Sequence, residues 1–301
     1  MRIATDWLDL EKIARSGQCF RWKKNAETYS VSAFGRVLTI RQVVGAVEAD
    51  CAEAEWLDVW SKYFDMGTDY AAFACAADPG DKYLTEAVYA ARGLRVLNQD
   101  LWETTVSFIV SQNNNIPRIT GILNRLCDTC GGFPDPAGLL EAGSEALDRC
   151  GLGYRQDYLV KAAEKFLSDS PESFLRGYDY KSAQAYLMEY RGIGPKVADC
   201  ICLYALGLRD AFPRDVWVRR IERDHYGGRF PAERYAGFAG IMQLFMFWYE
   251  RTRQNLLTRS KSAHPDDQRN EDQAEHDCKH SLYDLRAPSD SKPRTQQIAC
   301  N

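Results

Sequence analysis

The spacing of apolar residues changes near residue 80 and divides the chain into two predicted parts. Before it, short apolar stretches alternate with turn residues, which is typical of antiparallel strands. We expect a strand to open over residues 16–22, a meander broken at Gly35 and Gly45, and a helix over residues 53–64. Beyond residue 81, apolar positions recur with helical spacing as far as about residue 253, which predicts an all-α domain of roughly eight helices.

These patterns predict an α+β protein, with an antiparallel sheet domain at residues 1–80 and a helical domain at residues 81–255. Residues 256–301 are polar, mixed in charge and nearly free of large aliphatic side chains, so we expect a disordered tail. His276, Cys278 and His280 could chelate a metal there, but a disordered tail makes this the less favoured interpretation.

Composition limits the classes of function. The chain has 301 residues, of which 45% are hydrophobic, enough for two domains with a substantial core. No stretch has the length of a membrane span and the first residues lack a signal-peptide pattern, so we expect a protein without a membrane partner. We further expect a monomer in the cytoplasm or nucleoid of a bacterium, or in the nucleus of a eukaryote.

Cysteine usage and charge add two constraints. The ten cysteines are scattered or lie within helical patterns, which favours reduced thiols, and the pair at Cys127 and Cys130 lacks partners at zinc-site spacing. The net charge of −4 is unfavourable for a DNA-binding protein. A nucleic-acid partner therefore requires Lys and Arg to be concentrated on one face.

The most informative stretch spans residues 180–221, which predict helix, tight turn, helix, short loop and helix. Residues 192–196 of the turn are Gly-Ile-Gly-Pro-Lys, in which the glycines permit a chain reversal with positive φ and Pro195 suits the start of the next helix. Lys196 and Asp215 stand at the two joints. From the residues alone, Asp215 is an N-cap and Lys196 is a phosphate contact at a helix start.

Three further segments carry candidate chemistry. Residues 113–115 are three consecutive asparagines that end an apolar helix, where they either cap the next helix or have a function. Tyr154 and Arg155 can wedge between bases and donate to them, or they are a core tyrosine beside a solvated arginine. Gln243 and Phe247 share one helix face, on which Phe247 is either a binding residue or part of the core.

Residues 192–200, Gly-Ile-Gly-Pro-Lys-Val-Ala-Asp-Cys, together with Asp215, resemble the helix-hairpin-helix DNA glycosylases, and most of all their 8-oxoguanine branch. The resemblance extends from residue 16 to residue 251, with the motifs in the same order. It implies a bifunctional enzyme that extrudes 8-oxoguanine opposite cytosine from damaged double-stranded DNA. Lys196 would displace the base through a Schiff base and nick the strand by β-elimination, while Asp215 would stabilise charge on the sugar.

The resemblance also implies the remaining site residues. Those of the lesion-base pocket are Gly17, Phe108, Cys200, Gln243 and Phe247. Those that fill the gap or contact the orphaned cytosine are Asn113, Arg118, Tyr154 and Arg155. Those whose amides hold a DNA phosphate at the hairpin are Gly192 and Gly194.

No cofactor is expected, although a monovalent cation could bind at the hairpin. The iron–sulfur relatives carry four clustered cysteines after the helical domain, whereas here only Cys278 and Cys300 follow it. Trp217 stands where a relative has a phosphate-contacting histidine, so that contact is lost or is replaced by Arg219 or Arg220. The alternatives are a glycosylase for another oxidised or alkylated base, and a non-catalytic DNA-binding protein with the same hairpin.

Overall fold

The computed structural model describes residues 1–5 and 7–262. Met1–Arg251 form one compact unit, and a second unit begins at Thr252. The predicted polar tail, with His276, Cys278 and His280, lies almost entirely outside the described residues, so the expectation for it stays a prediction. Within the described part, no helix has the length and apolar character needed to span a bilayer.

The first layer is a five-stranded antiparallel sheet in the order β1-β5-β4-β3-β2. Its strands are β1 (Arg2–Ala4), β2 (Lys23–Asn25), β3 (Thr28–Ala33), β4 (Arg36–Val43) and β5 (Ala46–Ala49). Strand β3 alternates buried and half-buried residues, with Tyr29, Val31 and Ala33 facing the core. This period of two is the signature of a sheet with one covered face. The predicted meander is confirmed.

Residues 16–22 do not form the strand that the sequence predicts. A short helix, α1 (Leu10–Arg15), precedes them, Gly17 adopts a φ of 81°, and the sheet resumes only at Lys23. The reason is a set of non-sheet hydrogen bonds. The Gln18 side chain donates to the Arg95 carbonyl and accepts from the Leu97 amide, each at 2.8 Å, so the segment is bound to the chain entering the helical layer.

The helix expected over residues 53–64 is present but contains a π-helical turn. It consists of α2 (Glu53–Glu55), the π-turn Trp56–Trp60 and α3 (Ser61–Tyr63). The wide turn accompanies an aromatic cluster in which Trp56 stacks on Phe64 with ring centroids 5.8 Å apart. A further helix that the sequence did not predict, α4 (Tyr70–Cys75), follows.

The second layer is helical and continues to the end of the described residues. Its helices are α5 (Lys82–Ala90), α6 (Leu101–Val110), α7 (Ile116–Cys130), α8 (Pro136–Arg149), α9 (Arg155–Asp169), α10 (Tyr180–Leu187), α11 (Pro195–Tyr204), α12 (Val216–His225) and α13 (Ala239–Ser262). Ile109, Leu203 and Phe245 are fully buried and belong to its core. The antiparallel sheet followed by helices confirms the predicted α+β class.

Candidate active site

The turn between α10 and α11 is the hairpin that the sequence predicts, but its two glycines do different things. Gly192 has a φ of 85°, and a Cβ atom there would overlap the ring of Tyr158. Gly194 has a φ of −93° and open space around it, which corrects the prediction that both glycines serve positive φ. No side chain of the described residues caps α11, so the first-turn amides after Pro195 are available to an anion.

Lys196 lies on the first turn of α11 and is half-buried. Its Nζ atom is 3.4 Å from the hydroxyl of Ser111, to which it donates, and 5.2 Å from the centre of the Phe108 ring. Phe108 is itself buried and stacks on Tyr204 at 5.5 Å. The amine therefore lies against an aromatic wall, and Phe108 lies beneath it rather than at an open surface.

Asp215 is the N-cap of α12, as the sequence predicts. Its Oδ1 atom accepts from the amides of Trp217 and Val218, both at 2.9 Å, which fixes the carboxylate at the start of the helix. Its Oδ2 atom accepts no hydrogen bond from the described residues. The carboxylate is therefore fixed through one oxygen, and the residue is half-buried.

The thiol of Cys200 is under the electrostatic influence of both joint residues. Burial raises the pKa of this thiol to about 12; the charge of Lys196 lowers the pKa and that of Asp215 raises it. Lys196 lies one turn before Cys200 on α11, so the two side chains share a face of that helix. Charges act more strongly in the low-dielectric interior than in water, so the amine and the carboxylate both bear on this sulfur.

Gln243 carries an unpaired polar atom in the core. The residue is only 3% exposed, and its Oε1 atom has no hydrogen-bond partner among the described residues. An unpaired buried carbonyl costs about 1–3 kcal/mol, so such atoms are rare unless a ligand supplies the donor. Gln243 therefore has the chemistry of a base-reading residue.

Gly17 and Phe247 face each other although they lie at opposite ends of the chain. A Cβ atom at Gly17 would be 3.7 Å from the Phe247 ring and 3.4 Å from the side chain of Ile116. The ring of Phe247 is half-buried. The structure thus brings together these two candidate pocket residues, and the φ of 81° at Gly17 favours glycine at this position.

The asparagine run forms the connection between α6 and α7. Asn113 is exposed with a φ of 48°, whereas Asn115 caps α7 by accepting from the amide of Arg118 at 3.0 Å. Asn115 thus caps the next helix, whereas the exposed Asn113 remains available for a function. Just before it, the Gln112 side chain donates to the Gly192 carbonyl at 3.0 Å, which joins this connection to the hairpin.

Tyr154 is exposed and Arg155 is buried, which is the opposite of the alternative with a core tyrosine and a solvated arginine. Tyr154 is 50% exposed, and its hydroxyl accepts from Asn113 at 3.2 Å. Arg155 is only 4% exposed and donates from Nε to the Gln112 carbonyl at 2.9 Å and from Nη2 to the Asn113 carbonyl at 3.2 Å. In this structure Arg155 holds the asparagine connection, while the guanidinium that reaches solvent is that of Arg118.

Sequence reasoning did not single out Ser111, Gln112 and Arg251 as contributors to the site. Ser111 and Gln112 directly precede the asparagine run, which was the available signal. Arg251 gave no signal, because its hydrogen bonds are to backbone far away in sequence. Near Asp215, the guanidinium carbon of Arg220 lies 5.3 Å from the centre of the Trp217 ring, which is a cation–π pair. The replacement of a phosphate contact by Arg219 or Arg220 stays a prediction.

Two family models match the chain in sequence. Residues 1–105 match the 8-oxoguanine DNA glycosylase N-terminal domain, and residues 106–234 match the HhH-GPD superfamily base excision DNA repair protein. The sheet, the helical layer with its hairpin and these two matches define the class of HhH-GPD base excision DNA repair proteins.

Individual relatives narrow this class. An N-glycosylase/DNA lyase of Saccharomyces cerevisiae is 32% identical over 73% of this chain and 68% of its own length. A probable N-glycosylase/DNA lyase of Methanothermobacter thermautotrophicus is 31% identical over 87% of this chain and 99% of its own length. The crystal structure of Clostridium acetobutylicum 8-oxoguanine glycosylase/lyase, in complex with duplex DNA containing cytosine opposite 8-oxoguanine, superposes with a TM-score of 0.79 at 28% identity, covering 83% of this chain and 93% of that one.

The chain belongs to the 8-oxoguanine DNA glycosylase/lyase family, whose enzymes act in base excision repair. Its enzyme class, a DNA N-glycosylase with DNA lyase activity, follows from this membership. The family resemblance drawn from the sequence is thereby confirmed.

Proposed function

We propose that this chain binds damaged double-stranded DNA, extrudes 8-oxoguanine that is paired with cytosine, excises it through a Schiff base on Lys196 and nicks the strand by β-elimination. The observation that carries the proposal is a hairpin whose helix-start amides have no side-chain cap, with Lys196 on the first turn after it, and a buried thiol at Cys200 whose pKa responds to the charges of both Lys196 and Asp215. An amine nucleophile, a fixed carboxylate and an anion site are the parts that such a reaction requires.

Extrusion comes first, because a base inside the duplex cannot be reached, and it costs a few kcal/mol of stacking and pairing. Asn113 and the half-exposed Tyr154 lie together on the surface and are the groups that would fill the gap. Arg118 would donate to the orphaned cytosine, whose pairing edge offers the acceptors N3 and O2. Arg155 would contribute to this step by holding the asparagine connection, or would contact cytosine once its bonds to carbonyl groups are exchanged.

The extruded base would stack on the ring of Phe247 with Cys200 on its opposite face. The Gly17 backbone would lie at one edge of the base, and the free oxygen of Gln243 would accept from its donor edge. The neutral amine of Lys196 would form a bond to C1′ while the bond from C1′ to the base breaks, and the base would leave with the electron pair and take up a proton. Asp215 would stabilise positive charge on the sugar during this step. Opening of the sugar ring gives the Schiff base, and loss of a C2′ proton expels the 3′-phosphate oxygen.

Borohydride trapping tests this proposal. With a duplex containing 8-oxoguanine opposite cytosine, we expect a covalent protein–DNA adduct that the Lys196→Gln variant does not form. An adduct and a nick in the Lys196→Gln variant at wild-type rate would overturn the role of Lys196. Binding without any adduct from the wild type would indicate the non-catalytic DNA-binding alternative.

Base and partner selectivity need a second assay. Excision from duplexes with 8-oxoguanine opposite each of the four bases is expected to be fastest opposite cytosine, because the gap-facing donors match cytosine acceptors. Equal rates opposite all four bases would contradict the proposed reading of cytosine. Excision of another oxidised or alkylated base in preference to 8-oxoguanine would select the alternative substrate.

A further inference from the structure

Arg251 lies on α13 one turn after Phe247 and packs on its ring. The guanidinium carbon is 5.1 Å from the ring centre, within the range of a cation–π contact. Residues four apart on a helix share a face, so Arg251 and Phe247 present a single composite surface. The guanidinium therefore covers part of the ring that forms one wall of the proposed lesion pocket.

The same guanidinium also contacts backbone on the Gly17 side of the pocket. Its Nη1 atom lies 3.4 Å from the carbonyl oxygens of both Arg15 and Ser16, and 3.2 Å from the position of a Cβ atom on Gly17. These carbonyls end α1 and lead into the positive-φ turn at Gly17. Arg251 thus joins backbone near the start of the chain to a ring on the last helix.

Arg251 is also within electrostatic reach of the catalytic carboxylate. Burial lowers the pKa of its guanidinium, and the charge of Asp215 opposes this shift. A cation that is partly removed from water needs such a partner to stay charged at low cost. Arg251 therefore contacts a pocket ring and the pocket backbone, and its charge interacts with that of the carboxylate at the head of α12.

We propose that Arg251 is a positioning residue for substrate selection, which fixes the Gly17 backbone beside the edge of the Phe247 ring, so that a flat purine stacked on the ring meets the Gly17 backbone at its own edge. This inference rests on the proposed excision of 8-oxoguanine. A planar guanidinium suits the role because one rigid group donates to carbonyls at its edge while its face covers a ring. Without it, the ring and this backbone have no common contact of this kind, and the base loses its fixed orientation before Lys196 reacts.

The test compares two reactions of the same site, namely excision of 8-oxoguanine and strand cleavage at an abasic site from which the base is already missing. We expect Arg251→Met to lower single-turnover excision of 8-oxoguanine by at least about tenfold, since small displacements in a pre-organised site have effects of this size. Strand cleavage at a pre-formed abasic site should stay within about twofold of wild type, because no base has to be held. Arg251→Lys keeps the charge but not the planar edge and face, and should lie between the two.

Arg253 supplies the matched control, because it is an exposed arginine on the same helix. Arg253→Met removes the same charge and should leave both reactions unchanged. Equal losses of excision and abasic-site cleavage in Arg251→Met would overturn the proposal in favour of a purely structural role, and wild-type excision would overturn it outright. If wild-type protein itself does not excise 8-oxoguanine, the proposed function fails instead, so the two failures are distinguishable.

Discussion

A carbonyl oxygen without a donor is expensive inside a protein, and Gln243 carries one in the core of the helical layer. Proteins tolerate such atoms mainly at functional sites, where stability is sacrificed for binding. Gln243 lies one turn before Phe247 on α13, and Phe247 faces Gly17. The unpaired oxygen is therefore explained if the amide is reserved for a base that the free enzyme lacks.

Replacing Gln243 by leucine separates stability from function. Leucine has a similar size and no polar atom, so we expect the free energy of unfolding to rise by about 1 kcal/mol. Excision of 8-oxoguanine should fall at least about tenfold, since a site built to bond a substrate group discriminates strongly when that bond is absent. Chemical denaturation and single-turnover excision measure the two effects. Unchanged excision would show that Gln243 does not face the lesion.

At the scale of secondary-structure elements, the turn between α10 and α11 places different demands on its two glycines. The hairpin turn depends on Gly192, which combines a positive φ with close approach to Tyr158, whereas Gly194 has neither constraint. We expect Gly192→Ala to lower the free energy of unfolding by at least about 2 kcal/mol, through strain and overlap with the ring. Gly194→Ala should cost less than about 1 kcal/mol, the scale of an N-cap change. Thermal denaturation of both variants makes the comparison, and equal losses would contradict it.

The contact between α10 and α11 contains a carboxyl group that responds to pH. Burial raises the pKa of Asp199 to about 6, although hydrogen bonds from Tyr180 and Gln184 at 2.7 Å and 2.5 Å oppose the shift. The folded state thus keeps this proton to a higher pH than the unfolded chain, whose value lies near 3.8. Its contribution to stability is full below that value and is lost as pH rises through about 6.

Asp199→Asn tests this sign, because asparagine can still accept both hydrogen bonds but never becomes charged. We expect the stability of the variant relative to wild type to increase by about 1–2 kcal/mol from about pH 5 to about pH 8. Urea titrations at the two pH values provide the measurement. A difference that does not change with pH would mean that Asp199 titrates normally in the folded protein.

Elements with local signals were predictable from the sequence. The hairpin, the cap at Asp215 and the meander follow from glycine placement, capping chemistry and a period of two. The prediction of a strand over residues 16–22 was wrong because the conformation of this segment is set by hydrogen bonds between the Gln18 side chain and backbone far along the chain. The burial of Arg155 was missed for the same reason, since its partners are carbonyls of another connection.

At the scale of the whole molecule, sheet and helices belong to one compact unit, Met1–Arg251. Gln18 is one of the links, and Arg21 is another, through a 2.6 Å ion pair with Glu103 on α6. Tight links of this kind make separate unfolding of the two layers unfavourable. The net charge of −4 does not exclude a DNA partner at this scale, because charge can differ between faces: residues 111–118 contain no acidic side chain and include the exposed Arg118.

Gln18→Leu tests the coupling of the layers. The change leaves the buried Arg95 carbonyl and Leu97 amide without these partners, so we expect a loss of about 2–4 kcal/mol. Far-ultraviolet circular dichroism and tryptophan fluorescence should still report one coincident thermal transition, shifted to lower temperature. Two separate transitions would show that the sheet and the helices unfold independently.

The connection at residues 111–115 limits how far the preference for the opposite base can be changed by substitution. The Ser111 hydroxyl accepts a hydrogen bond from the Lys196 amine, the Gln112 side chain donates to the Gly192 carbonyl of the hairpin, and the Asn113 side chain donates to the Tyr154 hydroxyl. Under the proposed function, substitutions within this connection that change the preferred opposite base would also displace Lys196 and the hairpin. A change of preference is therefore best sought at Arg118, which is exposed.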